Sequence, residues 1–221
     1  MSIKIKDFVE IEYTGRIKED STIFDTTDEK IAKENNMFND HADYGSIVIC
    51  VGQEHVLKGI DAALIGKEPG EFKIDLKPEQ AFGNKDAKLI QLISTSKFKQ
   101  QNMQPVPGLQ VNIDGVFGLV KTVSGGRTLV DFNHPLAGRE LSYDVKVNKM
   151  VTDDKEKVKA YLKLAFGIKD CEVKIEDGNA KIEIKTELNE KIKEEANKKI
   201  AELIPTIKKA EFVIKKEEKN K

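Results

Sequence analysis

The sequence predicts an α+β protein, and three observations lead there. Short runs alternate apolar and charged residues, as in Phe8-Val9-Glu10-Ile11-Glu12-Tyr13 and Phe72-Lys73-Ile74-Asp75-Leu76, and a period of two marks half-buried strands. Only a few segments place apolar residues at helical spacing. Turn signals such as Pro69-Gly70, Asp114-Gly115 and Asp177-Gly178 separate the runs. The 221 residues suffice for a real core without disulfides, in one domain or in several small ones.

Taken in order, Phe8, Ile11 and Tyr13 predict a first strand, Thr14-Gly15 a turn, and Ile17 and Phe24 a second strand. Residues 26–46 form a polar excursion with a short helix expected around Glu29 to Glu34. Ile47 to Val51 is β-rich. Val56, Leu57, Ile60, Ala63 and Leu64 make one helical face closed by Gly66. Phe72, Ile74 and Leu76 give another strand, and Pro78 to Asn84 a loop. From residue 86 the texture changes to short strands around Asp114-Gly115 and Ser124-Gly125-Gly126, a small β unit. Leu141, Tyr143, Val145 and Val147 alternate again.

Residues 152–221 read as a separate block in the order α-β-β-α-β. Thr152 or Asp153 caps a helix that Gly167 closes, a hairpin turns at Asp177-Gly178, and Pro205 ends a second helix. Residues 212–214 form a last strand, and residues 216–221 are expected to fray.

Composition excludes several classes of function. Lys plus Arg is 37 and Asp plus Glu is 38, giving a net charge of -1 and no basic stripe for nucleic acid. Cys50 and Cys171 form no Cys-x-x-Cys, and His41, His55 and His134 match no ligand spacing, so no metal is expected. The longest tight apolar run, Ile47 to Val51, is too short to span a bilayer by roughly 15 residues. The first residues lack an apolar core of leader length, and a cytoplasmic location is expected.

Four pieces of sequence then stand out together. Val9-Glu10-Ile11-Glu12-Tyr13-Thr14-Gly15 with Ile23-Phe24-Asp25 resembles the opening of FKBP-type peptidyl-prolyl cis-trans isomerases. Ile49-Cys50-Val51-Gly52 with Val56-Leu57-Lys58-Gly59 resembles that family's strand-then-helix segment. Pro78-Glu79-Gln80-Ala81-Phe82-Gly83 resembles its aromatic-Gly loop, and Leu141-Ser142-Tyr143-Asp144-Val145-Lys146-Val147 its closing strand. Residues 86–130 interrupt the pattern where SlyD-like members carry an inserted flap domain, and Asn133-His134-Pro135-Leu136-Ala137-Gly138 resembles the return segment of that subfamily.

The resemblance covers residues 1 to about 150. It implies an antiparallel half-barrel with one short helix over 1–85 and 131–151 and an inserted β-rich flap over 86–130; the α+β domain over 152–221 rests on the residue pattern alone. Carried over position by position, it implies catalytic roles for Tyr13, Asp25, Phe82 and Tyr143, and substrate contacts from Phe24, Ile47, Val56, Leu57 and Ile60. Ile60 stands where many members have Trp, Ile47 replaces an aromatic residue, and Tyr143 replaces Phe. No cofactor is implied. Leu89, Ile90, Leu92, Ile93, Met103 and Val106 could form the insert's own core or, as the resemblance favours for part of them, a chaperone surface.

The implied partners are unfolded or partly folded polypeptides with X-Pro bonds, with no nucleic acid and no membrane. The 152–221 block could form a homodimer or present another client site. A non-catalytic module that only holds clients is the alternative function.

Overall fold

The computed structural model describes residues 1–100 and 102–214; the expected fraying of 216–221 lies outside the described residues. In chain order come β1 (Phe8–Ile17), β2 (Ile23–Thr26), α1 (Glu29–Glu34), β3 (Ile47–Cys50), α2 (Lys58–Leu64) and β4 (Gly70–Leu76). Then follow β5 (Ile90–Ser94), α3 (Thr95–Gln100), β6 (Gln110–Ile113), β7 (Val116–Ser124), β8 (Arg127–Asp131) and β9 (Leu141–Val151). The chain continues with α4 (Asp154–Phe166), β10 (Cys171–Glu176), β11 (Asn179–Ile184), α5 (Glu190–Leu203) and β12 (Lys209–Ile214). It is an α+β protein built mainly on antiparallel pairing, and it divides into two compact units. The first comprises Met1–Leu76 and the chain from Ser142 onward; the second is Lys77–Leu141. No described helix is long and apolar enough to cross a membrane.

In the first unit a sheet runs β2-β1-β9-β4, with β3 paired to β1 as well. β1 bonds β3 through residues 8–11 and β2 through residues 14–16. One face carries Val9, Ile11, Tyr143, Val145 and Val147, all buried, and the α2 residues Ile60 and Leu64 are buried too. The other face carries Phe8, which is buried, and then charge, as in the Asn148 amide that donates to Glu10 and Glu12. The turn expected at Thr14-Gly15 is not there. Both residues lie inside β1, and the chain reverses after Ile17. Gly15 reads as a turn residue only locally, because its lack of a side chain answers a partner 128 positions away, Tyr143.

β10 and β11 form an antiparallel hairpin, and α5 carries the chain across to β12, which lies parallel to β11. A parallel neighbour needs such a crossover. The apolar stripes of α4 and α5 close over this sheet in one cluster that also includes Phe8, Cys50 and Val151, with Val48 packed against it. Residues 152–214 therefore share a core with β1, β3 and β9, and the helix faces find their partners within the chain.

The second unit is a sheet in the order β5-β8-β7-β6. α3, unannounced in the sequence, places Phe98 against Val111, Val120 and Val130. Asn133 and Lys85 fasten the two ends of the insert. Lys85 Nζ donates to Asp131 at 2.8 Å, the Asp86 N–H donates to Asn133 Oδ1 at 2.8 Å, and Asn133 Nδ2 donates back to the Asp86 carbonyl at 3.0 Å.

Candidate functional site

Strand register assembles the first group of candidates. Gly15 on β1 is paired with Asp25 on β2. Tyr13, two residues before Gly15, lies on the same sheet face and diagonally opposite Asp25, within reach of a long side chain. The Tyr13 hydroxyl and the Thr26 N–H lie near the Asp25 carboxylate, and both favour its charged form. β9 brings Tyr143 alongside. Its ring lies 5.8 Å from that of Tyr13 and 5.8 Å, edge on, from that of Phe24. Tyr13, Phe24, Asp25 and Tyr143 thus form one cluster, with Tyr143 fully buried and the other three half-buried.

Gly15 lets the cluster close. A Cβ there would stand 2.7 Å from both Cε1 and Cζ of Tyr143 and 3.1 Å from Cζ of Phe24. Read locally Gly15 is a turn residue, and only the long-range pairing reveals why it is glycine. Burial governs the electrostatics. It raises the Asp25 carboxyl above its ordinary value, and the nearby Tyr13 hydroxyl and Thr26 N–H offset this only in part. It also pushes the Tyr13 phenol up to about 12, with the Asp25 charge adding to the effect, and the Tyr143 phenol further up. Both phenols therefore remain donors at neutral pH.

The other candidates of this unit lie on neighbouring elements. Ile47, half-buried, opens β3 opposite Ile11. Val56 and Leu57 immediately precede α2, half-buried, and the Leu57 carbonyl accepts the first helical N–H groups from Ile60 and Asp61. Ile60 is buried. The turn leading to Val56 and Leu57 hangs on Asp61, which the sequence reading passed over. Its buried carboxylate accepts the N–H of Gly52 at 2.8 Å and of Glu54 at 3.0 Å. The signal was a charged residue on the apolar face next to Ile60. A groove of about 370 Å³ is lined by Glu12, Tyr13, Thr14, Ile31, Phe72 and Lys73 among others; it shares Tyr13 with the cluster but includes neither Phe24, Asp25 nor Tyr143.

Phe82 belongs to the second unit. Its ring stacks on His134 with centroids 4.4 Å apart and planes 5° from parallel. The His134 ring in turn accepts the Leu136 N–H through Nδ1 at 3.2 Å.

The insert's apolar residues divide by face. Register pairs Leu92 with Leu129, Ile90 with Asp131, Asp131 with Leu119, and Phe117 with Asn112. Ile90, Leu92, Leu129, Leu119 and Phe117 therefore share one face of all but the β6 edge of the sheet. That face is open: Leu92 is 63% exposed and Phe117 74%. Leu89 and Val106 are exposed as well. Ile93 and Met103 instead pack against Phe98, Val111, Val120 and Val130. A period of two sends Ile93 to the face opposite Leu92. Phe117, Leu119 and Leu129 were missed in the sequence, although Val116-Phe117 directly after Asp114-Gly115 is an apolar pair at a hairpin mouth.

Comparison with known proteins matches the same regions. The model of the FKBP-type peptidyl-prolyl cis-trans isomerase family matches residues 1–101. A second model, described as FKBP26, IF domain, matches residues 91–136. A short-type peptidyl-prolyl cis-trans isomerase of Methanocaldococcus jannaschii is 32% identical over 155 residues, 70% of this chain and 98% of that protein. A probable FKBP-type 16 kDa peptidyl-prolyl cis-trans isomerase of Pseudomonas fluorescens is 37% identical over 103 residues, covering 44% of this chain and 67% of that protein. The FKBP-type peptidyl-prolyl cis-trans isomerase SlyD of Treponema pallidum is 30% identical over 161 residues, 70% of this chain and 82% of that protein. With nearly the whole of the archaeal relative matched, and the aromatic and carboxylate cluster assembled from the motifs that carry the likeness, the chain belongs to the FKBP-type peptidyl-prolyl cis-trans isomerase family of rotamases.

Proposed function

We propose that this chain accelerates X-Pro isomerisation in folding polypeptides and gathers those polypeptides on its inserted domain. In this reading residues 1–85 with 131–151 are the isomerase half-barrel, 86–130 the flap and 152–221 an accessory module, and the protein works in the cytoplasm. The single observation carrying it is the cluster of Tyr13, Phe24, Asp25 and Tyr143, an aromatic setting around one half-buried carboxylate.

The chemistry needs no nucleophile. An X-Pro bond turns over in about 10–100 s because its partial double bond must be broken. Reaching milliseconds takes about 10⁴-fold, or about 5.5 kcal/mol. The twisted amide is less dipolar than the planar one, so apolar walls from Phe24, Ile47, Val56, Leu57, Ile60 and Tyr143 favour it over the ground state. Tyr13 and Asp25 supply the polar group that orients the substrate carbonyl. The open face with Leu92 and Phe117 holds apolar stretches of the client; an exposed contiguous apolar face is the mark of such a surface.

The test compares two variants in two assays. Leu92→Ser with Phe117→Ser should keep short-peptide isomerisation and lose acceleration of a proline-limited refolding reaction. Asp25→Ala should lose both. Equal effects of the first variant on peptide and protein substrates would refute the division of labour. A parent that keeps clients dissolved without accelerating either reaction would establish the holding module instead.

A further inference from the structure

The C-terminal module reaches the framework of the prolyl site at two places. The first is β3. Successive strand residues face opposite ways; Val48 packs on the module's core, α4 packs against β3, and Ile47, the candidate wall residue, is the neighbouring position.

The second is the excursion between Asp25 and Ile47. It is rooted on the backbone of Tyr13: the Thr27 N–H donates to the Tyr13 carbonyl at 3.0 Å, and the Tyr13 N–H donates to Thr27 Oγ1 at 2.9 Å. Its far end returns to the same root through the Gly45 N–H and the Thr27 carbonyl at 2.8 Å. Between the ends it is tied to itself. Asp28 caps α1, Phe38 stacks on Tyr44 at 5.5 Å, Lys33 Nζ sits 4.6 Å over the Phe38 ring, and the Asn39 N–H donates to the Tyr44 hydroxyl. A segment so bonded moves as one piece.

Asp43 joins that piece to the module. Its carboxylate takes Lys163 Nζ at 3.0 Å on one oxygen and Lys169 Nζ at 2.9 Å on the other. The two lysines converge because Gly167, with φ +68°, ends α4 in the left-handed region and turns the chain back beside its last turn. The paired ammonium groups hold the Asp43 carboxyl below its ordinary value.

We propose that Asp43, Lys163 and Lys169 are positioning residues for prolyl isomerisation, through which the C-terminal module holds residues 27–46, and with them Tyr13, Asp25 and Ile47, in the arrangement that binds substrate. The inference rests on the prolyl-isomerase reading of that cluster. Each ion pair is partly exposed and weak alone. Their leverage comes from restraining a self-bonded segment whose two ends are the site. A site competent for part of the time binds with an apparent constant raised by the inverse of that fraction. The reacting bond is untouched, so the effect falls on KM and leaves kcat alone.

The test measures KM and kcat on a short X-Pro peptide with the full-length chain at about 20 mM and about 0.5 M salt. Beside the parent stand Asp43→Asn, Lys163→Gln with Lys169→Gln, and the reversed set Asp43→Lys, Lys163→Glu, Lys169→Glu. At low salt the first two should show KM raised about threefold with kcat within about twofold, and faster amide exchange over 27–46. The reversed set should restore the parent's KM, and the differences should shrink at high salt. An active parent whose variants match it, variants that lose kcat at constant KM, or a reversed set that rescues nothing would each overturn the inference alone. A parent inactive on the peptide would overturn the underlying reading and this inference with it.

Discussion

Replacing Gly15 with alanine should damage both stability and the proposed prolyl site by a single contact. The added methyl would stand 2.7 Å from two carbons of the buried Tyr143 ring and 3.1 Å from Phe24. Carbon atoms rest at about 3.5–4.0 Å, so the ring must move by close to 1 Å. Tyr143 is 1% exposed and cannot swing into solvent. Overpacking of this kind costs about 1–3 kcal/mol, which in a chain of this size lowers Tm by about 2–12 °C. If Tyr143 lines the reacting bond as proposed, a displacement of about 1 Å costs up to about 10²-fold in rate. The assays are thermal unfolding and peptide isomerisation of Gly15→Ala, Tyr143→Leu and the double variant. Leucine lacks the atoms that collide, so the alanine should cost less in that background, with a coupling of about 1 kcal/mol or more. Strict additivity, or a Gly15→Ala variant with the parent's Tm and rate, would refute the contact as the reason for glycine.

Two further predictions concern acids whose environments act in opposite directions. Burial raises the Asp25 carboxyl, so the folded state favours its protonated form; that contribution is complete below the ordinary value of 3.8 and is lost as pH rises through the folded value. Asp25→Asn should therefore leave neutral-pH stability equal or higher and flatten its dependence above 3.8, while kcat/KM drops about tenfold, about 1.4 kcal/mol; urea melts across pH that keep the parent's slope would refute this. For Asp131 burial alone would raise the carboxyl, but Lys85 and Asn133 together outweigh it and bring it down from 3.8 to about 2. Its stabilisation of the second unit is present above 3.8 and lost as pH falls through about 2. Asp131→Asn should cost about 2 kcal/mol at neutral pH, with the gap from the parent closing towards pH 2; amide exchange over 86–131 that is equal in both proteins at neutral pH would refute it.

Much of the framework was legible because it is local. Alternation and a two-residue turn suffice for the hairpin at Asp177-Gly178, and the Asp28 cap with the residues after it suffices for the helix at Glu29–Glu34. The pieces of the candidate site were legible as motifs, and Tyr13, Asp25, Phe24 and Tyr143 do meet. What stayed hidden depends on partners distant in sequence. Gly15 looks like a turn until Tyr143 lies over it. Ile93 and Leu92 are equally apolar, and only the position of α3 decides which of them is covered. Phe8 and Cys50 read as ordinary strand residues, yet they cap the core of α4 and α5. Asp61 needs the backbone of Gly52 and Glu54 before its burial makes sense.

The strand order has a consequence for how this molecule is made. β9 lies between β1 and β4, and its sequence follows the whole of the second unit. The early strands leave the ribosome without the neighbour that joins them, and Phe8, Val48 and Cys50 wait longer still for the helices that cover them. Residues 77–141 are contiguous, and β5 to β8 pair only among themselves. Since contiguous units fold as they emerge, vectorial synthesis completes the insert first. The half holding Tyr13 and Asp25 is begun first and closed last.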